Sequence, residues 1–181
     1  RLGLKLFELG SLYLANLDLH REAQPHVDRL AKLSGEVVHL CIFDGLHAVF
    51  VDRKEMDSGP SSLVMTIEGA PVYCTGVGKA ILAFQDEATL ERVIAAGLKA
   101  FTESTIVDPQ RLREEMAATR KRGYSIDWSE HQRNLNCVAA PGDRVDHEPY
   151  VGAIEDAVDG FRDIDGVLAV TDPFDATVGG L

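Results

Sequence analysis

Leu2, Leu6, Leu9, Tyr13 and Leu17 recur at helical spacing, and Leu12 and Leu14 widen the stripe. No Ser, Thr, Asp or Asn precedes this pattern, which predicts a helix already under way at Arg1 and entering from an earlier segment. So wide a stripe on a short helix suits either contact with another subunit or domain, or ordinary core packing. A second helix is expected over residues 21–33, with Ala23, Val27, Leu30, Ala31 and Leu33 inward. Pro25 then falls in its first turns, where a missing N–H costs little, and Gly35 stops it. The period next falls to two. Residues 37–43 (VVHLCIF) read as a buried strand, Asp44-Gly45 as a turn and residues 48–52 as the partner strand. Residues 57–62 read as a loop, and residues 63–67 as a further strand.

Helix punctuation is clearest in the middle of the chain. Asp86 caps a helix to about Ala96 that Gly97 ends. Asp108-Pro109 places a cap before a proline at the first helical position, and that helix runs to Arg122 with Gly123 as a left-handed stop. Short strands follow at residues 124–126, 136–140, 151–154 and 167–171. Strands in neighbouring groups, with helices between and around them, predict an α+β domain built on a mixed sheet.

Composition narrows the possible roles. The 181 residues carry 45% hydrophobic and 26% charged residues, with 29 Asp and Glu against 18 Lys and Arg, a formal charge of −11. That is a globular balance with the wrong sign for gripping duplex DNA or an anionic membrane surface. No apolar run approaches the roughly 20 residues that span a bilayer. Cys41, Cys74 and Cys137 are odd in number, widely spaced and set in apolar segments, which suits reduced thiols in a cytoplasmic protein.

Candidate chemistry gathers in two places. Thr75-Gly76-Val77-Gly78-Lys79 leads into an apolar helix, so its free N–H groups and helix dipole suit a small carboxylate. The alternative is that the glycines only let strand and helix pack closely. A P-loop is a poor match, since Tyr73 stands where its first glycine belongs and Ala80 where its magnesium-holding Ser or Thr belongs. Further on, Asp127 ends one strand and Cys137 lies on the next. They either face one cavity, or serve as a turn cap and a small buried hydrophobe. A Cys137–His131–Asp127 nucleophilic site and a metal site at His39, Cys41 and His47 have no supporting spacing. The basic residues of the helix ending at Arg122 alternate with Glu114 and Glu115, as on a solvated face.

Several segments together resemble the effector-binding domain of the IclR family of transcription regulators. They are RLGLKLFELG (1–10), LSGEVVHL (33–40), Ala70-Pro71, GVGKAILA (76–83), GYSID (123–127) with Glu130, and CVAAP (137–141), in register to about residue 154. The resemblance implies a GAF-like curved antiparallel sheet, with helices on its convex side and a ligand cavity on its concave side. It makes residues 1–16 an interdomain linker helix and 17–181 the effector domain, with the N-terminal winged helix-turn-helix domain outside this chain. It also assigns the Gly76 and Val77 N–H groups to a ligand carboxylate and Asp127 and Cys137 to the ligand's other oxygens. Leu63, Met65 and Tyr73 become apolar walls.

Past residue 154 the match fails. The family's serine-bearing stretch is replaced after residues 151–154 by Glu155-Asp156-Ala157, or, in a second placement, aligns with residues 168–173 to give Ala169 and Thr171. At least one carboxylate-holding hydroxyl is lost either way, which points to an effector larger or less acidic than glyoxylate or pyruvate.

These readings converge on a non-enzymatic sensory domain that binds a small organic, carboxylate-bearing metabolite and needs no cofactor or metal. Operator DNA is reached only through the missing domain, and the protein is a homodimer or homotetramer away from any membrane. The alternatives are a GAF-type redox or nucleotide module and a small cysteine or acid–base enzyme.

Overall fold

The computed structural model describes residues 18–54, 70–141 and 166–175, together with Lys5 and Gly10. Of the expected linker helix only Lys5 and Gly10 are among them, both helical. The strands expected at 63–67 and 151–154 and the loop at 57–62 lie outside the described residues.

Helix α1 (Asp18–Ser34) begins three residues before its expected start, so Pro25 lies inside it rather than in its first turn. The proline removes one rung from the helix ladder. Val27, Leu30 and Ala31 offset that loss by burying one face at i, i+3 and i+4 spacing. Strands β1 (Val37–Phe43) and β2 (His47–Lys54) form an antiparallel hairpin, with the Asp44 carboxylate accepting the Leu46 and His47 N–H groups in the turn. A bulge at Leu40/Cys41 shifts their register. Strand β3 (Ala70–Pro71) is a two-residue edge on β2.

Helices α2 (Gly76–Ala83), α3 (Glu87–Ala96) and α4 (Pro109–Arg122) follow. Their ends are local chemistry. The Asp86 and Asp108 carboxylates accept from the Thr89 and Arg111 N–H groups at 2.7 and 2.8 Å, and Gly123 is left-handed at φ 87°. Strands β4 (Ser125–Trp128), β5 (Asn136–Pro141) and β6 (Gly166–Asp175) complete a six-stranded sheet in the order β3-β2-β1-β6-β5-β4.

The two wings, β3-β2-β1 and β5-β4, are antiparallel, but β6 runs parallel to both β1 and β5. The sheet is therefore mixed, and the fully antiparallel form implied by the resemblance holds only for the wings. Thr171 pairs with Cys41 and Pro141, so the strand at the centre is the 168–173 stretch of the second placement.

Helices cover both faces, not one. On one face, Val27, Leu30 and Ala31 of α1 meet Val38, Leu40, Val51, Val138 and Ala140. On the other, α2 packs Val77, Ala80 and Ile81 over Cys41, Phe43, Cys137 and Ala139, with Leu112 and Met116 of α4 in the same core. Alternate residues of β1 and β5 thus enter opposite cores, which is why these strands read as continuous apolar runs.

Candidate functional site

The site is built around the first turn of α2. Thr75 caps it: its hydroxyl donates to the Pro71 carbonyl at 2.7 Å and accepts the Gly78 N–H at 3.1 Å, while its carbonyl takes the Lys79 N–H at 2.9 Å. The remaining donors, the Gly76 and Val77 N–H groups, face the Asp127 carboxylate and the Cys137 sulfur. The sequence expectation left both donors free for a ligand. In the fold they meet the chain's own side chains.

Strand β4 holds Gly76 by both of its peptide groups. The Ser125 hydroxyl donates to the Gly76 carbonyl at 2.6 Å, and two residues on, from the same face, Asp127 meets the Gly76 N–H. Such close approach excludes a side chain at Gly76. A Cβ there would lie 2.6 Å from the Cys137 Sγ, and one at Gly78 would lie 2.4 Å from the Val72 Cα. The close-packing reading of these glycines therefore holds, and the same turn carries the Gly76 and Val77 N–H donors.

Asp127 is 3% exposed and its Oδ1 accepts the Glu130 N–H at 2.7 Å. It is a turn cap and a cavity residue at once. Burial pushes its carboxyl above the usual value, opposed by the Glu130 N–H, Lys79, His131 and the Gly76 N–H. Burial, with the nearby Asp127 charge, pushes the Cys137 thiol up to about 12, and its S–H points to the Val138 carbonyl at 3.6 Å. That is the reverse of an activated nucleophile.

Gly76, Val77, Asp127 and Cys137 line one cavity of about 510 Å³, within the roughly 300–1,000 Å³ range of ligand sites. Thr75 completes its polar end. The rest of the wall includes His39, Phe50, Phe101, His131 and Leu135. His39 and Phe50 meet edge to face at 4.9 Å, as do Phe101 and His131 at 4.8 Å. Burial, helped by Arg53, lowers the His39 pKa to about 4, so its ring is neutral near pH 7.

Tyr73 is not on the wall. It stands behind Phe101 with ring centroids 6.4 Å apart, and its hydroxyl bridges the Lys99 main chain. Leu63 and Met65 lie outside the described residues. Sequence reasoning missed Ser125, Phe50 and Phe101, and weighed His39 only as a metal ligand without supporting spacing. The alternation of His39 with Leu40, on strands buried on both sides, was the one available signal. Among the described residues no group of three or more His, Cys, Asp or Glu converges as a metal site.

Residues 11–153 match the family profile described as bacterial transcriptional regulator IclR, C-terminal. The chain belongs to the IclR family. Relatives of this IclR-family domain include the HTH-type transcriptional repressor AllR of Escherichia coli strain K12, 30% identical over 187 residues that cover 93% of this chain and 69% of that protein. AllR of Salmonella typhimurium is 30% identical over 190 residues, covering 95% and 70%.

Among solved structures, the Thermotoga maritima IclR superimposes with a TM-score of 0.69 at 28% identity, over 89% of this chain and 72% of that one. An IclR homolog from Microbacterium hydrocarbonoxydans, solved in complex with 4-hydroxybenzoate, shares the fold with a TM-score of 0.68 at 24% identity, over 90% and 74%. The chain is thus the C-terminal domain of a transcriptional regulator, and no helix among its described residues is long and apolar enough to cross a membrane.

Proposed function

We propose that this domain senses a small carboxylate-bearing metabolite and thereby modulates operator binding by a winged helix-turn-helix domain in the same regulator, in the cytoplasm and as a homodimer or homotetramer. One observation carries the reading: Gly76-Val77, Asp127 and Cys137, from three separate segments, meet at the polar end of one cavity. The ligand's acid group takes the Val77 N–H, because the thiol sulfur it would displace is only a weak acceptor. Asp127 keeps the Gly76 N–H and accepts a proton from a hydroxyl or hydrated carbonyl of the ligand.

His39, Phe50, Phe101 and His131 offer ring faces and edges around the remaining volume, which suits a flat ligand larger than a two- or three-carbon acid. The complex of a same-fold homolog with 4-hydroxybenzoate is consistent with such a guest. The redox and cysteine-enzyme alternatives are disfavoured by the neutral, buried Cys137 thiol.

The test is a thermal-shift screen of glyoxylate, pyruvate, benzoate and 4-hydroxybenzoate, followed by calorimetry on any acid that raises Tm. Asp127→Ala is expected to weaken binding by about 1.5–3 kcal/mol, the range for a hydrogen bond to a charged group. Cys137→Ser is expected to weaken it less. Parent-like binding by both variants would remove these residues from the site.

A further inference from the structure

Behind the donor turn lies a charge cluster whose own residues are not part of the cavity wall. Lys79, on the inner face of α2, is 1% exposed and is the one buried Lys or Arg among the described residues. Its Nζ pairs with the Glu130 carboxylate and lies 3.7 Å from Glu115 Oε1 on α4. Glu115 in turn takes Arg122 at 2.7 Å. The second oxygen of Glu130 is buried with no hydrogen-bond partner.

A core gains little from such a pair, because an apolar pair of similar volume commonly serves stability as well or better. What the pair does instead follows from where its members stand. Lys79 is three residues after Gly76, in the first turns of α2. Glu130 donates its own N–H to Asp127. Between Asp127 and Glu130 the chain bends through Ser129 at φ 54°, a left-handed conformation that a residue with a side chain resists.

That turn is therefore held from several sides. The Thr102 hydroxyl donates to the Ser129 carbonyl at 2.7 Å and the Thr105 hydroxyl to the Glu130 carbonyl at 2.6 Å, both from the α3–α4 connection. Lys79 ties the far end of the turn to α2, beside the meeting of Asp127 with the Gly76 N–H at its near end.

We propose that Lys79 and Glu130 are positioning residues of the effector site: their buried pair locks the strained Asp127–Glu130 turn against the start of α2, so that the Asp127 carboxylate is aimed at the Gly76 N–H and the cavity. The significance of that aim rests on reading the cavity as the effector site, while the lock itself is a property of the protein without ligand. The groups that face Asp127 are Lys79 from α2, Cys74 ahead of it, Glu130 and His131 from the turn, and Cys137 from β5. Of these only Lys79 carries a fixed positive charge.

The experiment compares the parent chain, Lys79→Arg and the double variant Lys79→Met/Glu130→Met. The double replacement avoids leaving an unpaired charge in the core. Cooperative thermal unfolding establishes the fold, and amide hydrogen exchange reads the Gly76 and Glu130 N–H groups that face Asp127, with Leu40 and Val138 as remote controls.

The double variant should unfold cooperatively, keep its control amides protected and exchange at Gly76 and Glu130 at least tenfold faster. Lys79→Arg should stay within threefold of the parent. Unchanged exchange at Gly76 and Glu130 overturns the proposal, and so does a double variant that fails to fold, since the pair would then be a prop of the core. In parallel, calorimetry with 4-hydroxybenzoate and pyruvate should show at least tenfold weaker binding to the double variant than to the parent. If the parent binds no acid of the screen, the effector reading fails while the exchange result still decides the lock.

Discussion

Gly76→Ala tests the most crowded point of the site. The added Cβ would lie 2.6 Å from Cys137 Sγ, 3.0 Å from Cys137 Cβ and 3.4 Å from the Cys137 carbonyl carbon. The first contact can be relieved by moving one sulfur atom, but the second demands a shift of β5 or of the α2 start. Neither is loose: Ser125 grips the Gly76 carbonyl at 2.6 Å, and Cys137 pairs with Asp127 on β4 and Val167 on β6. Inserting one methyl into a packed site of this kind costs about 1–3 kcal/mol. Cys137→Ala removes the nearest obstacle, so the two substitutions should be strongly non-additive. In a double-mutant cycle by urea unfolding, the pair should be less destabilised than the sum of the singles by about 1 kcal/mol or more. The m-value should be unchanged in all four proteins. An additive cycle, or a Gly76→Ala midpoint equal to the parent's, would refute the close approach of turn and strand.

Two predictions concern pH. Because the Asp127 carboxyl titrates above its ordinary 3.8, the folded state binds more protons than the unfolded chain, and stability is lost as pH rises through the raised value. The urea midpoint of Asp127→Asn, followed against the parent's, should therefore gain on it from about pH 3.8 upward and then level off. A gap that narrows over that range would contradict the burial assigned to Asp127. His39 has the opposite sign. Its pKa falls from 6.5 to about 4, so the folded state binds fewer protons and the parent should lose stability relative to His39→Gln as pH drops through that window. Parallel midpoint curves would show that His39 is solvated. Finally, the 181-residue chain at net charge −11 should leave duplex DNA unshifted in a mobility assay at physiological salt, and a sub-micromolar shift would require a DNA-reading surface within it.

Local chemistry was legible in the sequence and long-range pairing was not. Asp86 with Gly97, and Asp108-Pro109 with Gly123, mark α3 and α4 to the residue, because a cap depends only on its own turn. Pro25 misled by the same logic. It looked like a first-turn residue, yet α1 starts at Asp18 because packing of Val27, Leu30 and Ala31 outweighs one missing rung. The parallel insertion of β6 between β1 and β5 left no local mark, since it joins segments over a hundred residues apart.

At the site, the residues alone left Asp127 between turn cap and cavity group, and the fold makes it both. The Gly76-Val77 turn and Cys137 were also candidates on residue chemistry alone, and the family resemblance tipped the choice between their alternatives. Lys79 was visible only as a lone cation in the apolar run GVGKAILA, and its partner lies 51 residues away. The ring-bearing wall came from β1, β2 and two loops, which no periodicity connects.

The two-sided burial of β1 makes this strand a shared partition between guest and helix. His39 borders the cavity, while its neighbours Val38 and Leu40 are wedged beneath Val27, Leu30 and Ala31 of α1. Close-packed interiors do not absorb displacement by compressing. Any displacement of His39 or Phe50 on the cavity side would therefore have to be taken up by Val38, Leu40 and the face of α1 packed on them, across the thickness of a single strand.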